Sequence, residues 1–101
     1  MNTLQKGSVR TIIFKEKGTW VGVALEFNIV ETGDDPREVL FMLDEAIRGY
    51  VESARKSKIR TTTILNQTAD KEYETLWKNL ESKKSIKSPY EVYSFGKTVL
   101  A

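Results

Sequence analysis

Between Asp35 and Ala54 the residues describe one long amphipathic helix, and the rest of the chain must be arranged to receive it. At 100° per residue, Ala46, Val39, Tyr50, Leu43, Ala54, Ile47, Leu40 and Val51 fill a continuous arc of about 140°, wide enough to cover a sheet. Its start is assembled from standard parts. Gly33 turns the chain, and Asp35 can accept from the free N–H groups of the first turn. Pro36 fits the first helical position, and Glu38 completes a capping box.

The segment before the helix supplies strands. Val9-Arg10-Thr11-Ile12-Ile13-Phe14-Lys15 is rich in β-branched and aromatic residues, as strands are. In Trp20–Phe27, the residues Val21, Val23, Leu25 and Phe27 alternate with Trp20, Gly22, Ala24 and Glu26, the period-2 pattern of a strand. Glu16-Lys17-Gly18-Thr19 has the length and the glycine of a hairpin loop. Ile29–Thr32 follows after a pivot at Asn28, a connection so short that it permits only an antiparallel neighbour. The expected fold class is therefore α+β: a three-stranded antiparallel meander with the helix across one face. Val21, Val23, Leu25 and Phe27 are expected to face the helix, and Trp20 and Ala24 to lie on the far side.

Residues 1–8 read as a loosely attached tail. Beyond Ala54, Arg60-Thr61-Thr62-Thr63-Ile64-Leu65 has strand propensity, and Asp70–Ser82 forms a second helix with Tyr73, Leu76, Trp77 and Leu80 on a narrow stripe. Tyr90–Phe95 reads as a last strand, with Gly96 at a bend or bulge. With 101 residues the chain makes one domain, its core over about 9–66 and a C-terminal helix and strand extension over about 67–101.

Absent residues narrow the chemistry. Without Cys or His, thiol nucleophiles, Ser-His-Asp triads and the usual zinc sites are out of reach; enzymes built on carboxylates or lysine remain open, but with no convincing carboxylate cluster no catalytic, metal or cofactor role is expected. Glu16, Glu26 and Glu31 could be imagined as metal ligands, but isolated acids on strands are usually solvated. The triplet Thr61-Thr62-Thr63 could contact phosphate, and β-propensity explains it as well. No apolar run approaches the ~20 residues of a membrane span, and the first residues lack a signal-peptide core, which makes the cytosol the expected compartment.

Charge is unevenly placed. Residues 31–45 hold six acids against one base, whereas residues 53–69 hold no acid and four bases, Arg55, Lys56, Lys58 and Arg60. Acids at a helix N-terminus and bases at its C-terminus complement the macrodipole. The alternative is a basic patch for nucleic acid, extended by Lys83, Lys84 and Lys87. The candidate partner contacts are Phe41, standing among Asp44, Glu45, Arg48 and Glu52, with Trp20 and the aromatics Tyr90, Tyr93 and Phe95. Surface accounting on these residues leads to an expected homo-oligomer, a dimer or tetramer, with residues 89–100 at the interface.

Two segments carry a family resemblance. Gly18-Thr19-Trp20-Val21-Gly22-Val23-Ala24 is an aromatic-led second strand. Val30-Glu31-Thr32-Gly33-Asp34-Asp35-Pro36-Arg37-Glu38-Val39-Leu40, running on through Asp44-Glu45-Ala46-Ile47 to Tyr50, is a Gly-Asp turn with a capped helix. Over residues 9–56 the chain resembles the HicB-like antitoxin domain of toxin–antitoxin systems. The resemblance implies a degraded ribonuclease-H-like βββαβ core that acts by binding, either as an antitoxin that neutralises a small HicA-like ribonuclease toxin or as an orphan regulator. Complete antitoxins of this type carry a two-helix or ribbon-helix-helix DNA reader after the domain. A single helix between strand-like runs is not expected to make one, which leaves DNA binding open.

Overall fold

The computed structural model describes residues 2–3, 7–56, 61–82 and 91–100, with the side chains of Thr61 and Thr62 excepted. Four strands form one antiparallel sheet in the order β3-β2-β1-β4: β1 (Ser8–Glu16), β2 (Thr19–Ala24), β3 (Ile29–Gly33) and β4 (Glu91–Val99). Helix α1 (Pro36–Lys56) lies on one face and α3 (Lys71–Glu81) on the other, linked through the short helix α2 (Thr61–Ile64). No helix among the described residues is long and apolar enough to cross a membrane.

The meander is in register as the hairpin glycine requires. Lys17 and Gly18 both take positive φ at the turn, and Glu16 pairs with Thr19. The end of β2 differs from the expectation. Alternation stops at Ala24, and Leu25–Phe27 winds into a single 3-10 turn closed by Asn28 in the left-handed region. Three residues per turn send Leu25 and Phe27 to opposite sides of the sheet, Leu25 to the α3 cluster and Phe27 to the α1 cluster.

The larger correction concerns which face of β2 meets the long helix. Val9, Ile13, Trp20 and Ala24 pack with Val39, Leu43, Ile47 and Val51 of α1, whereas Ile12, Phe14, Val21 and Val23 pack with Leu76, Trp77, Tyr73 and Leu80 of α3. The side of β2 carrying small residues therefore receives α1. Gly22 shows why. A Cβ there would stand 2.8 Å from Val39 Cγ1 and 2.9 Å from Ile13 Cδ1, closer than side-chain carbons approach. Glycine lets the helix sit down on the strand; the bulkier face is left to α3, a shorter helix with larger side chains. Each face thus receives a helix from within the chain, and Ala24, fully buried against α1, needs no second subunit to shield it, while Trp20 is left half-buried.

Three further expectations are replaced. Residues 61–64 form a turn of helix rather than a fourth strand, anchored where the Tyr50 hydroxyl donates to the Ile64 carbonyl (2.5 Å) and accepts from Gln67 Nε2. Gly96 lies inside β4, opposite Thr11, with no bend there. The irregularity falls instead between Ile13 and Phe14, which pair with Ser94 and Val92 and leave Tyr93 as the extra residue of a bulge. Lastly, the N-terminal tail is tied down at Asn2, which is buried. Its side-chain amide donates to the Leu65 carbonyl (3.0 Å), its backbone N–H donates to Asn66 Oδ1 (2.7 Å), and its Oδ1 accepts from the Ser8 N–H (2.8 Å).

The Asp35 cap at the helix start forms as read. Asp35 Oδ1 accepts from the Arg37 N–H at 2.8 Å, and the Asp35 carbonyl accepts from Val39, while Glu38 stands exposed. The Arg37 N–H, and then the Arg37 guanidinium, hold the Asp35 carboxyl below the usual carboxylate range. Changing Asp35 to alanine should lower the thermal midpoint measurably, though by less than any core truncation along α1, since only a solvent-facing cap is lost. A midpoint identical to wild type would show that the first turn is capped from elsewhere.

Candidate partner-binding surface

The sequence-derived contact residues fall in separate places. Phe41 projects from α1 into solvent, 62% exposed. Trp20 is half-buried on the α1 side, where Tyr93 meets it edge-on at 6.1 Å and the Lys15 ammonium lies 5.6 Å over its ring. Phe95 belongs to the opposite side, edge-on to Trp77 at 5.7 Å. Tyr93 and Phe95, both substantially exposed, therefore do not form the single aromatic row that their spacing suggests. The bulge at Tyr93 shifts the alternation between them. Tyr90 lies outside the described residues.

Of the basic patch, Arg55 and Lys56 are exposed at the C-terminal end of α1, where Lys56 Nζ lies 3.8 Å from Glu52 one turn back. That placement fits the macrodipole reading. Lys58, Arg60, Lys83, Lys84 and Lys87 lie outside the described residues. The three carboxylates weighed as ligands do not converge: Glu16 ends β1, Glu31 is in β3, and Glu26 is engaged by Arg10. Among the described residues, no group of three or more acidic side chains is arranged to hold a metal ion.

Two features that periodicity did not bring out are built by the fold. The first is an ionic clasp between the sheet and α3. Arg10 leaves β1 on the α3 side; its Nε donates to Glu26 Oε2 at 2.6 Å, and its two terminal nitrogens donate to Glu74 at 2.9 and 2.6 Å. Glu26 Oε1 also accepts the Arg10 backbone N–H (2.7 Å), a group β2 can no longer pair once it has turned into the 3-10 segment. Trp77 places its ring 5.7 Å from the guanidinium carbon. The Glu74 carboxylate, with Glu26 beside it, raises the Arg10 guanidinium above its ordinary range, and Arg10 in turn holds the Glu74 carboxyl below its own.

The second feature is a cleft of about 550 Å³ between α1 and the end of β4. Ile47, Val51 and Leu100 give it an apolar lining, Thr98 and Val99 border its β4 side, and Asp44, Arg48, Glu52 and Arg55 edge it along α1. Val99 is 73% exposed. The cleft exists because α1 packs mainly over β3 and β2, which leaves this side of β4 open beside it. Its charged edge is visible in the sequence at helical spacing. That β4 would lie next to it is not, because β4 pairs with β1 across 76 to 91 residues.

No protein-family model, curated protein or solved structure matches this chain.

Proposed function

We propose that the chain is a non-catalytic binding module of the HicB-like antitoxin kind, or an orphan regulator built on the same domain, that captures a small ribonuclease toxin and acts as a homo-oligomer. The observation that carries this reading is the run from β2 through the Gly33–Pro36 turn into α1, which folds as meander, capped turn and overlying helix in the order the resemblance implies. A degraded ribonuclease-H-like core is part of the same reading, supported by that three-stranded meander under one long helix. Exposed large apolar side chains at Val30, Phe41, Tyr93, Phe95 and Val99 supply contact area of the kind partners bury. The cytosol is the compartment in which such a pair would meet.

Titrating the purified chain into a HicA-type ribonuclease, one with a catalytic histidine encoded in the neighbouring reading frame, tests the proposal. RNA cleavage should fall to background near equimolar addition, and the chain alone should cleave no RNA with magnesium or manganese. Cleavage undiminished by a large excess of the chain would remove the antitoxin reading. Metal-dependent cleavage by the chain itself would replace it with an enzyme.

A further inference from the structure

The edge of α1 along the cleft carries an ordered alternation of charge: Asp44, Arg48, Glu52 and Arg55, at spacings of four, four and three residues on one flank. Read backwards, the same stripe has every sign inverted. From this we infer that the flank binds a second copy of itself, two α1 helices lying side by side over the clefts, antiparallel about a two-fold axis near residue 50. The inference deepens the homo-oligomer part of the proposed function and rests on it. In that register Arg48 faces Glu52 of the second copy and Asp44 faces Arg55, and symmetry repeats each pair.

Register and direction follow from the same stripe. Sliding one helix by a single turn sets Arg48 against Arg48 and Asp44 against Glu52. A parallel pair in register opposes every charge to its like. Only the antiparallel alignment centred near residue 50 satisfies all four positions, over about 16 Å of helix. The Glu52–Lys56 ion pair within each chain is exposed at both ends and exchanges readily for an intermolecular partner.

Apolar contact comes from the cleft. Leu100 stands there with Ile47 and Val51 of the α1 cluster, whereas Val99, paired with Ser8, turns its side chain to the α3 face. The C-terminal end of β4 therefore enters the contact through side chains while its backbone remains paired to β1. The sheet beneath leaves the space: strands repeat at about 4.8 Å and a helix is about 10 Å across, so α1 alone does not fill this face over all four strands.

A charge-swap experiment with the full chain tests this by light scattering against the 11.6 kDa monomer. Arg48→Glu and Glu52→Arg should each weaken self-association roughly 10- to 100-fold, because each sets like charges opposite one another twice per dimer. An equimolar mixture of the two variants should restore association, since each supplies the sign the other lacks, and the double variant should associate with itself like wild type. The rescue also shows that both single variants are folded. Single variants that associate as wild type does, or a mixture that stays dissociated, would overturn this interface while leaving a homo-oligomer by another route. A wild-type monomer at tens of micromolar would remove the homo-oligomer as well, and toxin inhibition would still be judged by its own assay.

Discussion

Replacing Leu43 with alanine is expected to lower the unfolding free energy by about 2–5 kcal/mol, the range for deleting a buried leucine from a close-packed core. Leu43 has no exposed surface and lies midway along α1 against the sheet. Its Cδ2 comes within 3.4 Å of the point where a Cβ on Gly22 would stand, so the strand backbone itself forms part of the leucine's socket. Backbone in a central strand relaxes little, so a cavity should remain and the loss should fall in the upper half of that range. Denaturant melts with a common m-value would measure it. A loss under 1 kcal/mol would mean that α1 does not press on Gly22 as described. Ile47, a turn further along the same stripe, lines the cleft as well as the core and should lose less on truncation, since solvent reaches its site more easily.

The existence of α1, its limits and its cap could be read directly, because each depends on residues within a few positions of one another. The face it covers could not. Period 2 in Trp20–Phe27 says that two sides differ; it does not say which side a helix prefers. The larger apolar side looks like the obvious answer until close approach is considered, and then Gly22 and Ala24 mark the better seat for a long helix. Strand alternation also assumed that one face was wet, whereas Ile12, Ile13 and Phe14 are consecutive and all buried, which only a sheet covered on both sides allows. That triplet was a legible signal for a second helical layer.

The features least visible in the sequence join distant residues. Asn2 reads as a tail residue because its partners, Leu65 and Asn66, lie more than 60 positions away. The Thr61–Leu65 run looks like a strand by composition; the Tyr50 hydroxyl and Gln67 draw Ile64 into a helical turn instead. The binding surface suffers most from this. Phe41 is exposed as its helical position requires, but Tyr93 and Phe95 are separated by a one-residue bulge that no local pattern announces.

Arg10 offers the second large effect, and its dependence on pH separates it from a packing defect. Arg10→Met keeps the length of the aliphatic stem and removes the charge, so Glu26 and Glu74 lose the guanidinium between them, with Lys78 still acting on Glu74. Breaking a fully buried pair in this way costs about 3–5 kcal/mol. Here the three side chains retain 24%, 19% and 29% of their exposure, so solvent screening brings the expected loss at pH 7 to about 2 kcal/mol. In the wild type, Arg10 holds the folded-state Glu74 carboxyl below its unfolded value. That contribution is complete above the unfolded glutamate pKa of about 4.3 and fades as pH falls through the lower folded value. Without Arg10 the two neighbouring carboxylates repel, so protonating one of them relieves the variant over the range where the wild type is losing stability. The gap between wild type and variant should therefore be widest near neutrality and shrink to under about 1 kcal/mol near pH 3. High salt should narrow it at pH 7 as well. A gap that stays constant from pH 7 to pH 3 would assign Arg10 to packing against Trp77 alone. A gap below about 0.5 kcal/mol at pH 7 would mean that α3 is held to the sheet by Leu76 and Trp77 without ionic help.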